Sequence, residues 1–170
     1  MKKNTYRYIC LVSTLIISVL ILMKWFTISA VGTVETHSFM TIPAMLCAGA
    51  GFLTQIGGKS VAVTVLILSG ILEYMCIVAS SLGIWGAWRS FKNNNISTLV
   101  FASQIISGSL ALIAVITICI INFVSQAMLG DIISVVPTLW LIIAIIFIVA
   151  SVITSLMYSK NKEQSVIEQS

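Results

Sequence analysis

Glu73 has unusual surroundings in this sequence, because it is the single charged side chain in the long apolar run Val61–Trp88. A run of this length predicts a transmembrane helix, and an ionisable residue inside such a helix is costly and often functional. Small and polar residues at helical spacing continue the face of Glu73, and a second stripe follows in the next apolar run. The two stripes predict an intramembrane polar cluster of Ser69, Glu73, Cys76, Ser80, Gln104 and Ser107.

Two interpretations of Glu73 stay open. A protonated carboxyl group, hydrogen-bonded inside a helix bundle, would add packing specificity, because burial favours the neutral acid. A titrating carboxyl group would instead handle protons or cations in a transport path. The first interpretation is favoured, since no second intramembrane acid or base accompanies Glu73 and proton relays use a chain of such groups.

The remaining polar residues offer weaker chemistry. His37 is the only histidine and lies near Glu35, so we expect an ordinary solvated side chain, because metal sites need three or four donors. The sequence contains no serine-hydrolase, zinc-protease or phosphate-loop motif. Of the four cysteines, Cys47 is the one clearly outside a membrane span, which argues against a disulfide framework. We therefore expect no catalytic site, no metal and no cofactor.

The composition is that of a membrane protein. Hydrophobic residues make up 59% of the 170 residues and charged residues 8%, and the mean hydropathy is +1.11. Soluble domains carry about a quarter charged residues, so a water-soluble globule is excluded. The net charge of +4 is interpreted through membrane topology rather than nucleic-acid binding, because no basic cluster with interleaved aromatic residues occurs.

Four transmembrane spans are predicted, at about residues 8–28, 61–88, 96–123 and 138–158. With a cytoplasmic N-terminus, seven of the nine Lys and Arg residues lie inside, only Lys59 lies outside, and Lys24 lies at a helix edge. A fifth span at 39–56 would distribute the charges evenly, which the positive-inside rule disfavours. Trp25 and Trp140 then fall at the outer interface. The prediction is an all-α bundle of four transmembrane helices with both termini cytoplasmic.

The outer segment 29–60 is predicted to hold the larger extracytoplasmic loop. Residues 26–38 fit a short β-hairpin turning near Gly32, or an ordered loop. Residues 39–56 are moderately apolar and are interpreted as a short interfacial or shallow re-entrant helix starting near Pro43, because proline suits a first helical turn. Residues 1–160 form a single membrane domain in this interpretation, followed by a polar cytoplasmic tail at 161–170.

This plan of four spans, a larger first outer loop and a short second one resembles the claudin-type tetraspan architecture. The loop carries Cys47 alone and lacks the Trp-x-x-Cys-type signature and paired cysteines of that group. The resemblance therefore implies an architecture, and neither a function nor site residues follow from it.

The leading functional hypothesis is a small multi-pass protein that acts by protein–protein interaction, as an accessory, scaffold or immunity-type subunit. Its recognition surface would be the outer segment with Glu35, His37 and Pro43. Its partners would be the lipid bilayer and either another membrane protein or further copies of itself, in a plasma membrane such as the bacterial inner membrane. The alternatives are a small transporter or ion-conducting protein that uses Glu73, and an enzyme acting on lipid or peptide.

Overall fold

The structure is a computed structural model that describes residues 3–30, 33–48, 50–129 and 133–167. It is 80% helical. The helices are α1 (Lys3–Leu20), α2 (Ile42–Ala48), α3 (Ala50–Lys92), α4 (Thr98–Val124) and α5 (Leu139–Ile167), and a π-helical turn, Ser125–Leu129, follows α4. The strands are β1 (Phe26–Ala30), β2 (Thr33–His37) and β3 (Ile133–Pro137).

Within the described residues, three helices are long and apolar enough to cross a membrane: Gly58–Lys92, Thr98–Ala127 and Leu139–Asn161. The first helix is apolar but shorter. Because these helices expose aliphatic side chains along most of their length, the fold is that of a mostly helical, membrane-embedded protein. Helix α1 packs against α3 and α5, α3 packs against α4, and α4 also contacts α5.

The predicted first span at 8–28 is too long. Helix α1 ends at Leu20, and Phe26–Ala30 forms a strand. The indole Nε1 of Trp25 donates a 2.7 Å hydrogen bond to the carbonyl of Leu20, which satisfies one of the carbonyls that every helix end leaves without an intrahelical partner. Trp25 is fully buried, so it does not face lipid at the outer interface as its sequence position predicts.

A small antiparallel sheet corrects the all-α prediction. Its strand order is β2-β1-β3, so the central strand pairs on one side with the predicted hairpin partner and on the other with a strand from the segment between α4 and α5. Ile28 lies opposite both Glu35 and Val135. The hairpin prediction is confirmed for the two strands, whereas its turn near Gly32 lies outside the described residues.

The edge of β3 that faces away from β1 is attached to α4 by Asn122. Its Nδ2 donates to the carbonyl of Val135, and its Oδ1 accepts from the amide of Val135, both at 2.8 Å. A side-chain amide has the same donor and acceptor geometry as a peptide group, so Asn122 occupies the place of a neighbouring strand. The apolar face of the sheet is thereby held against the C-terminal part of α4.

Within the segment predicted at 39–56, residues 42–48 and 50–56 are helical. Pro43 lies in the first turn of α2, as its residue type predicts. Helix α3 begins at Ala50 and bends at Gly58, whose φ of 77° and ψ of 170° interrupt the helical geometry. Such a backbone conformation is open to glycine at little cost. The long apolar helix Gly58–Lys92 therefore starts at this bend.

Candidate functional site

A layer of buried polar side chains lies between two apolar clusters. The apolar cluster under the sheet includes Trp25, Phe26 and Phe39, and the cluster at the opposite end includes Leu11, Val100 and Tyr158. The side chains between them are buried and come from α1, α3, α4 and α5. We call this set the polar layer: Thr14, Ser18, Ser80, Ser103, Gln104, Ser107 and Ser151.

Three helices are joined through one chain of hydrogen bonds in this layer. Gln104 Nε2 on α4 donates to Ser151 Oγ on α5 at 2.6 Å. Ser151 Oγ lies 3.1 Å from Thr14 Oγ1 on α1, which itself donates to the carbonyl of Cys10 at 2.8 Å. The donor direction is therefore consistent from the amide through both hydroxyls to the backbone carbonyl. Each hydroxyl in this chain both donates and accepts, which suits burial.

Helix α3 is attached to its neighbours by two serine hydroxyls, each of which bonds a backbone carbonyl of another helix. Ser80 Oγ donates to the carbonyl of Ser18 on α1 at 2.7 Å, and Ser103 Oγ on α4 donates to the carbonyl of Ala79 at 2.8 Å. Gly83 lies at the crossing point, where an added Cβ would overlap Ser18 Oγ and lie 2.8 Å from Ser103 Oγ. Such close approach through small residues is typical of helix contacts in membranes.

Glu73 lies outside the polar layer. It is half-buried on α3, about 10 Å along the helix axis from Ser80, toward the end that carries the sheet. Within the described part of the chain its carboxylate has no hydrogen-bond or ion-pair partner. Gln104, which belongs with Glu73 to the predicted cluster, bonds Ser151 instead and lies 3.4 Å from Cys10 Sγ. Glu73 is therefore an acid with unused hydrogen-bonding capacity.

The other residues of the predicted intramembrane cluster lie either in the polar layer or near Glu73 on α3. Ser80, Gln104 and Ser107 belong to the polar layer, and the Ser107 hydroxyl donates to the carbonyl of Ser103 within α4. Ser69 and Cys76 are buried and lie on the same face of α3 as Glu73. Ser69 Oγ bonds the carbonyl of Leu66 in its own helix, so the structure does not bring the predicted cluster into one contiguous network.

The predicted outer recognition residues differ in exposure. The Glu35 side chain is 70% exposed and lies on β2, which is an edge strand of the sheet among the described residues. His37 is buried, which corrects the expected solvated histidine; its ring packs near Phe26 and its Nε2 lies 3.4 Å from Glu35 Oε2. Pro43 is half-buried in α2. Glu35 is thus the member of this set that a partner reaches most easily.

Two positions with clear structural roles were not predicted from the sequence. Asn122 attaches the sheet, and its only signal is an amide near the end of an apolar run. Arg7 is buried at 4% exposure, its guanidinium lies 4.9 Å from the Tyr8 ring centroid, and its Nε has no hydrogen-bond partner. The sequence had assigned Arg7 to the charged flank of the first span, where burial is not expected.

No group of three or more His, Cys, Asp or Glu side chains suited to hold a metal ion occurs among the described residues. Comparison with models of protein families, with curated proteins and with solved structures gives no match for this chain. The class that the fold defines is a membrane-embedded protein with several long apolar helices. Its function is inferred from the chemistry of its own side chains.

Proposed function

We propose that the chain crosses a plasma membrane four times, with both termini in the cytoplasm, and acts by protein–protein interaction as an accessory, scaffold or immunity-type subunit. The observation that supports an interaction role is the use of the polar layer. Ser80, Ser103 and Gln104 each bond a neighbouring helix, so these groups hold the helices in register instead of lining a path.

The fourth span in this proposal is α1. It has 18 residues, which gives about 27 Å of helix, close to the roughly 30 Å hydrocarbon core of a bilayer. Its packing between α3 and α5 supports the same assignment, because a helix attached along both neighbours shares their environment. The excess of Lys and Arg on the side of the N-terminus supports the cytoplasmic orientation.

A labelling experiment tests this topology. Cys47 and Cys119 are exposed and are first replaced by Ser. A membrane-impermeant thiol reagent should then label Val34→Cys in intact cells, and should label Asn93→Cys only after the membrane is opened. Both positions are exposed, so access to the reagent is decided by the membrane. Labelling of Asn93→Cys in intact cells would show that the orientation is wrong.

The recognition surface proposed for this role is the outer sheet with its open edge at β2. Val34 is 68% exposed and the Glu35 side chain is 70% exposed. A strand edge presents free backbone donors and acceptors to a partner, while a charged residue on the edge limits unselective pairing. Specific recognition at this edge therefore depends on a partner that satisfies Glu35.

Site-specific photocrosslinking tests the interaction role. A photoreactive residue at Val34 should give a discrete crosslinked product in native membranes. The matched control is Trp88, which is 71% exposed at the other end of the molecule. If Val34 gives no discrete product and the protein stays monomeric and alone in native membranes, the proposed function is wrong.

The unused carboxylate of Glu73 favours a second candidate function, a small transporter or ion-conducting protein. Glu73→Gln keeps the shape of the side chain and removes its titration. In liposomes this variant should abolish proton or cation flux if Glu73 carries it, whereas Glu35→Gln should leave the flux unchanged. Equal flux through the wild type and Glu73→Gln would exclude a mechanism based on Glu73.

A further inference from the structure

Arg7 is a buried cation without a counter-charge among the described residues. It lies in the second turn of α1, 4% of its surface is exposed, and its Nε has no hydrogen-bond partner. The interaction that the guanidinium makes within the described part of the chain is with the Tyr8 ring, whose centroid is 4.9 Å away. Arginine keeps its proton in proteins, and a buried charge that is not paired is costly. The positive charge of Arg7 is therefore available to an anionic ligand.

The level of Arg7 in the bundle has the side chains of a membrane interface. The ring of the adjacent Tyr8 lies 6.2 Å from the ring of Phe91, in the last turn of α3. Tyr8 is 49% exposed, Phe91 39% and Trp88 71%. Exposed aromatic residues of this kind are typical of the level at which the lipid headgroups lie. The guanidinium of Arg7 is therefore close to the phosphate groups of one leaflet.

The charges at this end of the bundle favour an anion. Arg89 and Lys92 are exposed in the last turn of α3, and among the described residues neither forms an ion pair. The described acidic side chains are distant, because Glu35 lies on the sheet and Glu73 lies about 24 Å before Arg89 along α3. The exposed cations attract an anion to this end, and the guanidinium of Arg7 offers it the two parallel hydrogen bonds that a phosphate group accepts.

We propose that Arg7 binds the phosphate group of an anionic phospholipid from the leaflet at this end of the bundle. Its Nε is buried, so the two Nη amino groups donate to the phosphate oxygens. The acyl chains extend along the lipid-facing side of α1, where Ile9 and Val12 are exposed. An anionic headgroup is preferred to a zwitterionic one because Arg89 and Lys92 repel a further cation. This inference goes beyond the proposed interaction function and does not depend on it.

Lipid titration of the full-length protein tests this site. Lipid-depleted protein in a mild detergent is titrated with phosphatidylglycerol, and binding is followed by native mass spectrometry and by the rise in Tm. Arg7→Met should bind at least about tenfold more weakly than the wild type, because hydrogen bonds between two charged groups are lost. Arg7→Lys keeps the charge but not the fork of donors, so its affinity should fall between the two. The matched control is Arg89→Met, which removes an exposed cation at the same end and should change the affinity by less than about threefold.

Three other ligands identify the source of the phosphate group. Diacylglycerol with the same acyl chains has no phosphate and should raise the Tm of the wild type no more than that of Arg7→Met. Phosphatidylcholine carries a compensating cation and should bind more weakly than phosphatidylglycerol; equal binding would refute the preference for an anionic lipid. If inorganic phosphate raises the Tm as much as phosphatidylglycerol does, a lipid is not the source.

Two results would overturn the proposal. The first is equal affinity of the wild type and Arg7→Met for phosphatidylglycerol. The second concerns Glu163 and Glu168, the acidic residues of the C-terminal segment, whose side chains lie outside the described residues. Replacing both by Gln should leave the lipid affinity unchanged. Tighter lipid binding by that variant would show that a carboxylate of the chain itself, and not a lipid, is the anion that Arg7 binds.

Discussion

Gly83→Ala is the most demanding test of the way in which the helices are joined. An added Cβ at this position overlaps Ser18 Oγ and lies 2.8 Å from Ser103 Oγ and 3.4 Å from Ser18 Cβ. Because the neighbours belong to α1 and α4, the methyl group has to push two helices away from α3. Overpacking of this kind costs about 2 kcal/mol, which corresponds to a fall in Tm of about 4–8 °C for a chain of this size.

The same protein contains a matched control and a rescue. Gly70 has no atom within 4 Å of an added Cβ, so Gly70→Ala should raise Tm by about 1–3 °C through better helix propensity. Ser18→Ala removes the oxygen that the new methyl group meets. The Ser18 hydroxyl bonds only the carbonyl of Thr14 in its own helix, so combining Ser18→Ala with Gly83→Ala should recover part of the lost stability.

Thermal unfolding in detergent, followed by loss of monodisperse protein, provides the readout for all of these variants. The result that refutes the reasoning is a Gly83→Ala protein that unfolds at or above the wild-type temperature. An equal gain for Gly83→Ala and Gly70→Ala would show that the helices do not approach closely at Gly83. The packing around the polar layer would then need a different description.

Three further substitutions test other contacts by the same melting measurement. Asn122→Ala leaves both polar backbone groups of Val135 without their 2.8 Å partners and should cost about 2 kcal/mol, with faster amide exchange in β3; unchanged exchange would contradict the attachment. Gln104→Leu removes the donor to Ser151 and should lower Tm by a few degrees, about 1 kcal/mol. Arg7→Met removes a buried Nε–H without a partner and should leave Tm unchanged or raise it; a lower Tm would show that the guanidinium stabilises the fold.

Helical periodicity explains much of the interior, because spacing by three and four residues is a local property. Ser80, Gln104 and Ser107 are buried, as the stripes of small and polar residues predict. Periodicity does not determine which stripe faces which, and Gln104 meets Ser151 and Cys10 rather than Glu73. That choice depends on the heights of the helices, which only the packed structure defines.

The boundary of the first helix shows where composition fails. Trp25 and Phe26 are as apolar as the residues of α1, so hydropathy alone extends the span across them. Phe26 begins β1, which pairs with the nearby β2 and also with β3, more than a hundred residues later in the chain. Pairing between segments so far apart leaves no local signal, so the sequence does not predict β3.

The level of Glu73 along the packed helices is another property that the sequence does not determine. Glu73 lies close to the middle of the run Val61–Trp88. The hydrogen bond from Ser80 to the carbonyl of Ser18 places Ser80 beside the last turn of α1, and Glu73 lies about 10 Å further along α3, away from Trp88. Helix α3 is longer than its neighbour, so the midpoint of its apolar run does not mark the midpoint of the packed helices.

The position of β1 between β2 and β3 has a consequence for biosynthesis. A chain emerging from the ribosome can pair β1 with β2 as soon as Thr33–His37 has been made, whereas the other edge of β1 stays open until Ile133–Pro137 has been made. During that interval the open edge is a site for wrong pairing. Because β3 directly precedes α5, the sheet is completed only when the segment that leads into the last long helix has been made.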